Sequence, residues 1–216
     1  MTSGIEAIQW FTLLLCFAPF PLYKWKSNQW MKKPMHIPNK QFNGEHIVLL
    51  PVWNEEFLIE RKLEDLGQQG VEFKLVIIDS ASTDATLSRA RQWINENPSK
   101  FGDIDIIEMS ERKGKTAAVA LFLQKYQEFD GLITMTDADG TFMPDAIMRV
   151  RKWFSDETIG AVGARPSRKG EQFGENQYRS MFDSLRYAES CYDSTPFLEG
   201  SMITWRSKLV DASDLF

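Results

Sequence analysis

The sequence predicts an α/β protein with a mostly parallel central sheet flanked by helices, preceded by an apolar N-terminal segment. From His46 onward, five strand-like apolar runs alternate with four helix-like stretches. Several of the runs are apolar without alternation, as expected when helices cover both faces of a sheet. The polar residues gather just behind the strand ends, where ligands bind in open parallel sheets.

The N-terminal stretch "WFTLLLCFAPFPLYKWKSNQWMKK" stands apart. Its apolar run, Trp10 to Leu22, is shorter than the roughly 20 residues that cross a bilayer. Pro19 and Pro21 weaken a straight helix. The lysines follow the apolar run, the order that keeps the downstream chain cytosolic rather than secreted. Trp10, Trp25 and Trp30 suit a membrane interface, and a helix packed on the domain or on a partner is the alternative. Residues 1–30 are therefore read as a membrane-associating segment. Residues 31–45, with Pro34, Pro38, Asn39, Asn43 and Gly44, form a linker, and 46–216 the globular domain.

The strands are "HIVLLPV" (46–52), "FKLVIID" (73–79), "DIDIIEM" (103–109), "GLITMTD" (131–137) and "IGAVGA" (159–164). Helix faces follow from spacing at three and four residues. They are Leu58, Lys62 and Leu66; Leu87, Ala90, Trp93 and Ile94; Ala117, Ala120, Leu121 and Leu123; and Ile147, Val150, Trp153 and Phe154. A later stretch, "YRSMFDSLRYAESCY", reads as an amphipathic helix with Met181, Leu185 and Ala188 inward, although Arg186, Tyr187 and Glu189 would suit an acceptor.

With 216 residues the chain fits one domain with a sizeable core. Residues 1–40 hold five lysines against Glu6, a net of +4; with −5 for the whole chain, the rest carries −9. That acidity argues against a nucleic-acid surface. Cys16 and Cys191 sit in no CxxC pattern, so neither a disulfide framework nor a zinc site is implied, and a reducing, cytosolic compartment fits.

Behind the first four strands stand "PVWNEE", "DSASTD", "SERKGKT" and "DADG". Asn54, Ser82 and Asp84 have an ordinary account as helix N-caps; Asp79 does not. Residues i and i+2 of an extended segment point the same way, so Asp137 and Asp139 aim two carboxylates into one small volume. A hard cation, Mg²⁺ or Mn²⁺, neutralises such a pair, and Mg²⁺ is commonly shared with substrate phosphates. Arg112, Lys113 and Lys115, opening a helix whose N-terminal amides attract anions, supply a diphosphate site.

Known phosphate motifs fit less well. "GKT" at 114–116 lacks the glycine of a Walker A loop, since Met109 stands there, and GxGxxG is absent. "LITMTDADGT" is similar to the opening motif of haloacid-dehalogenase phosphatases, but in that family it comes on the first strand, whereas here three β-α units precede it.

Residues 46 to about 210 resemble the inverting glycosyltransferases of family 2, with their Rossmann-like GT-A fold. "PVWNEE", "VIIDSASTD", "RKGKTAAV", "TDADG" as the DxD motif and "FLEGSMITWRSKLV" as the acceptor-side segment carry the resemblance, in the family's order. It implies that Asp79 contacts the nucleotide base, that Pro51 and Glu55 line its pocket, and that Lys115 stands near base or phosphate. It likewise puts Asp137 near the ribose and Asp139 on the metal. Ser80 departs from relatives that carry a second Asp there. The implied activity is metal-dependent transfer from a nucleoside-diphosphate sugar to a glycan hydroxyl or lipid-linked acceptor, at the cytosolic face of a membrane. The family's catalytic base lies beyond the acceptor-side segment, so the sequence is expected to lack it and the C-terminal part of the domain, with Glu199 as the candidate within the chain. The alternatives are a phosphatase using the DADGT motif and a non-catalytic fragment that binds nucleotide sugar.

Overall fold

The computed structural model of the protein describes residues 2–33, 35–165, 173–198 and 200–215. Its sheet has six strands: β1 (Glu45–Val52), β2 (Lys74–Asp79), β3 (Asp103–Glu108), β4 (Gly131–Thr136), β5 (Ala161–Gly163) and β6 (Met202–Arg206). They lie in the order β3-β2-β1-β4-β6-β5. β1 pairs in parallel with β2 and β4, and β2 with β3. β6 runs antiparallel to both β4 and β5. This mixed half of the sheet corrects the sequence reading, which had no strand at 202–206. β4 leaves a row of backbone donors and acceptors on its outer edge, and "MITWR" satisfies them. Arg206 then fixes the corner, donating to the carbonyls of Phe154, Asp156 and Ile159 at 2.9 Å each.

β1 shows why the sheet is buried on both faces. Val48, Leu50 and Val52 point into a cluster with Leu63, Leu66, Ile147 and Phe154. Ile47 and Leu49 point the other way, against Ala118, Phe122, Leu123 and Trp205. The helices that cover these faces are α3 (Ile59–Gly67), α4 (Thr86–Glu96), α5 (Gly114–Lys125) and α6 (Ala146–Trp153). In α5 the buried positions are Ala118, Ala120, Phe122 and Leu123, so the face predicted through Ala117 and Leu121 is rotated. Phe122 is the reason: fully burying a ring of that size stabilises by roughly 1.5–3 kcal/mol, more than an alanine can offer.

α1 (Thr2–Phe17), α2 (Pro19–Trp30) and α7 (Phe173–Tyr192) form a separate compact unit. α1 runs on into α2 through Ala18, itself helical at φ −60° and ψ −34°. Pro19 and Pro21, expected to weaken a straight helix, are accommodated where α1 meets α2, with Pro19 at the first position of α2. The resulting helix, Gly4–Trp30, is 27 residues long with mean hydropathy 1.5, long and apolar enough by length and composition to cross a membrane. Its large apolar side chains from Ile5 to Trp25 are exposed. Within the same unit Trp30 stacks on Tyr192 with ring centroids 4.9 Å apart, and the Tyr23 hydroxyl donates to Glu189.

Candidate active site

Because β1 lies between β2 and β4 while the chain crosses over on either side of it, the sheet has a topological switch point at β1. The carboxyl ends of β2, β1 and β4 carry Asp79, the 53–56 turn and Asp137. Asp79 ends β2 level with Val52 of β1, one residue beyond the Pro51 and Ile78 pair. It is 2% exposed. Its Oδ2 accepts the Ser82 N–H at 2.9 Å, and its Oδ1 is buried with no partner. A buried carboxylate oxygen without a donor is costly, and this one remains open to accept a hydrogen bond. Ala81, two residues on, adopts φ of 58°, a strained conformation for a residue with a Cβ.

Asn54, Ser82 and Asp84, read as caps, stitch the two turns together instead. Ser82 Oγ accepts from the Asn54 N–H at 2.9 Å, and Asn54 Oδ1 accepts from the Thr83 N–H at 2.8 Å. Asp84 accepts from the Glu56 N–H at 3.2 Å and from the Thr86 N–H at 2.9 Å. Neither α3 nor α4 carries a side-chain cap at its first residue. Glu55 is held by its own N–H on Thr86 Oγ1 at 2.7 Å. Its carboxyl is pushed above the usual carboxylate range by burial, then by the negative charge of Asp139, Asp84 and Asp137.

The basic residues divide. Lys115, in the first turn of α5, forms an ion pair with Asp137, the residue after β4. Arg112 lays its guanidinium over the Trp53 ring, 3.3 Å from the centroid. Lys113 pairs with Glu111 at 2.7 Å. Asp139 is exposed. Gly200 approaches from the segment before β6: a Cβ built there would lie 3.8 Å from Lys115 Nζ and 4.0 Å from Asp137 Oδ2. Thr136 Oγ1 donates to the Ser201 carbonyl at 2.9 Å, fastening that segment to the end of β4.

Lys62 is the residue whose part the sequence did not reveal. It is 1% exposed. Its ammonium donates to the Gly140 carbonyl at 2.7 Å, lies 3.5 Å from Asp65 and sits 4.0 Å from the centre of the Phe142 ring. Burial pushes it down to about 8, against the upward pull of Asp65. The available signal was a lysine at an apolar helix position, Leu58, Lys62, Leu66, which reads equally well as a side chain that snorkels to water. Among the other expectations, Glu199 lies outside the described residues. Arg186, Tyr187 and Glu189 belong to the unit of α1, α2 and α7, where Arg186 lies over the Phe197 ring at 4.4 Å.

Among the described residues no cluster of three or more His, Cys, Asp or Glu side chains stands ready to hold a metal ion. Asp139 and Asp137 nonetheless fit a hard divalent cation. Two carboxylates suffice for Mg²⁺ or Mn²⁺ when substrate phosphates complete the shell. Burial is the larger cause of the raised Glu55 carboxyl, and the negative charges of Asp139, Asp84 and Asp137 add to it.

The family profile described as Glycosyl transferase family 2 matches residues 47–212. Among solved structures, the chain is similar to a mannosyltransferase from Pyrobaculum calidifontis in complex with GDP-Man and Mn²⁺. The TM-score is 0.77 and the identity 30%, over 93% of this chain and 56% of that one. Glucosyl-3-phosphoglycerate synthase from Mycobacterium tuberculosis shares the fold, with a TM-score of 0.53 at 22% identity over 82% of this chain and 64% of that one. A dolichol-phosphate mannosyltransferase of Pyrococcus furiosus is 25% identical over 137 residues, 62% of this chain and 37% of its own. An uncharacterized glycosyltransferase of Bacillus subtilis, YkcC, is 28% identical over 147 residues, 65% of this chain and 43% of its own. The chain thus spans less than half the length of these two curated relatives.

Proposed function

The chain belongs to glycosyltransferase family 2, and on that premise we propose that the strand-end crevice binds a nucleoside-diphosphate sugar together with Mn²⁺ or Mg²⁺, for inverting transfer of the sugar to a glycan hydroxyl or a lipid-linked acceptor. The observation that carries this reading is Asp79 Oδ1, a buried carboxylate oxygen left without a donor at the switch point of the sheet. It suits an N–H of a nucleobase edge. Pro51 and Glu55 flank the base, with Trp53 and Arg112 stacked beside them. Asp137 and Lys115 meet the ribose and phosphates. Asp139 and Asp137 hold the cation, which when bound stabilises the departing diphosphate. The likeness to a mannosyltransferase that binds GDP-Man and Mn²⁺ makes GDP-mannose the first donor to test.

The helix Gly4–Trp30 supports attachment to a membrane, with the lysines behind its apolar run favouring the cytosolic side. The experiment that tests the site is calorimetric titration of GDP and UDP into the full chain in detergent, with and without Mn²⁺. The expected result is tighter binding of one nucleotide when Mn²⁺ is present, and loss of that enhancement in Asp139→Asn with the metal-free affinity retained. Unchanged enhancement in the variant removes Asp139 from the metal site.

A further inference from the structure

We propose that α3 is the mount of the metal-binding loop, and that Lys62 is a positioning residue for Asp139. This rests on the reading of Asp139 as a metal ligand. Directly behind Asp139, three consecutive residues are each held by α3. Lys62 Nζ donates to the Gly140 carbonyl at 2.7 Å, an Arg61 guanidinium N–H donates to Thr141 Oγ1 at 2.9 Å, and the Phe142 N–H is shared by both Asp65 oxygens at 3.1 and 3.0 Å. Further on, Gln69 Oε1 accepts from the Ile147 N–H at 3.4 Å. Within α3, positions 61 and 65 are four apart and 62 and 65 three apart, close enough on the helix surface to grip one loop, and Gln69 follows just beyond the helix end. The grip covers the return of the loop from the end of β4 to the start of α6.

A clip whose only task was to hold a loop on a helix would be built more cheaply from apolar residues. Burying an ammonium carries a desolvation penalty that its partners repay only with good geometry, and an apolar side chain of similar volume often does as well or better for stability. What the ammonium adds is direction. It fixes one carbonyl, that of Gly140, and so anchors the Gly140–Thr141 peptide, one residue past the Asp139 Cα, which limits the course the backbone can take out of Asp139. Asp139 itself is exposed, and no hydrogen bond or ion pair orients its side chain among the described contacts. Its aim is therefore set from behind. Partners of this kind, which touch the ligand residue and not the metal, commonly change metal affinity by about 10–100-fold.

The test compares the full chain with Lys62→Met, which keeps the length and volume of the side chain and removes the donor. GDP and UDP are titrated by calorimetry with and without Mn²⁺, and thermal unfolding is recorded beside them. In Lys62→Met the Mn²⁺ enhancement is expected to fall about tenfold, while metal-free nucleotide affinity stays near that of the parent; the unfolding temperature falls because Asp65 and the Gly140 carbonyl lose their buried partner. An enhancement within about twofold of the parent, or a joint fall of enhancement and metal-free affinity, overturns the proposal. Should Lys62→Met fail to fold, Arg61→Ala decides, since Arg61 is exposed. A loss of about threefold in the enhancement, the share of one exposed hydrogen bond, supports the mount, and no change overturns it. A parent chain without any Mn²⁺ enhancement overturns the metal site itself, and the mount with it.

Discussion

His46 makes the fold sensitive to mild acid. It stands second in β1, 3% exposed, with Nε2 at 2.7 Å from Thr134 Oγ1, which in turn meets Thr204 Oγ1 at 2.6 Å. Nδ1 is buried without a partner. Burial, and after it the charge of Arg151, pushes the imidazole from 6.5 down to about 3. The folded state thus holds His46 neutral where the unfolded chain would protonate it. A folded value below the unfolded one means stability that is complete above pH 6.5 and is lost as pH falls toward 3. At about 1.4 kcal/mol per pH unit, the loss between about pH 6.5 and 4.5 is roughly 2 kcal/mol. Against a typical total of about 5–15 kcal/mol this is readily measured. Asp84, Asp103 and Asp105, whose carboxyls are held below 3.8, lose their contribution only at lower pH. Glu55 acts with the opposite sign, because its raised carboxyl favours folding as the pH falls, and it cancels when two chains that share it are compared. Urea unfolding of the full chain in a zwitterionic detergent, followed by tryptophan fluorescence, gives the comparison with His46→Gln, which keeps a donor for Thr134 and cannot be protonated. The parent is expected to lose roughly 2 kcal/mol more than the variant across that window. Parallel loss in the two proteins would refute the assignment of the slope to His46.

Two further outcomes follow from the site and the N-terminus. Asp79→Asn keeps the size of the side chain but removes the charge behind the unpaired oxygen, so the affinity for metal-free GDP or UDP should fall about tenfold, as for a hydrogen bond to a charged group; an unchanged Kd by calorimetry dismisses Asp79 as the base contact. In a flotation assay with vesicles containing anionic lipid, the full chain should rise with the vesicles and a chain beginning at Met35 should stay below; co-migration of both would point to a packed rather than a membrane-bound helix.

The parallel half of the sheet was legible because "HIVLLPV", "KLVIID" and "GLITMT" are buried on both faces and so carry no competing polar pattern. The acids behind them were legible for the same reason, since a carboxylate at the end of a buried strand stands out. β6 was hidden because its five residues include an arginine and take their strand form from the free edge of β4, a partner some 70 residues away in sequence. The α5 face was misjudged by one position because a run of alanines fixes no side, and Phe122 decides it. Lys62 escaped because its partners, Gly140 and Phe142, are supplied by a loop. The length of the N-terminal helix escaped because proline tolerance depends on where the helix register places the ring.

The strand order also dictates a sequence of events as the chain is made. Among the described residues β5 pairs only with β6, yet it leaves the ribosome about 40 residues earlier. The four parallel strands can zip together while β5 waits with both edges open, and only the arrival of 200–206 lets it dock. The same arrival brings Gly200 beside Lys115 and Asp137 and seats Ser201 on Thr136. The Gly200 side of the pocket is therefore built after the Asp79 and Asp137 sides, and a nascent chain stalled before residue 200 would carry Asp79, Asp137 and Asp139 in a half-built pocket, with an uncovered β4 edge ready to recruit a stray strand.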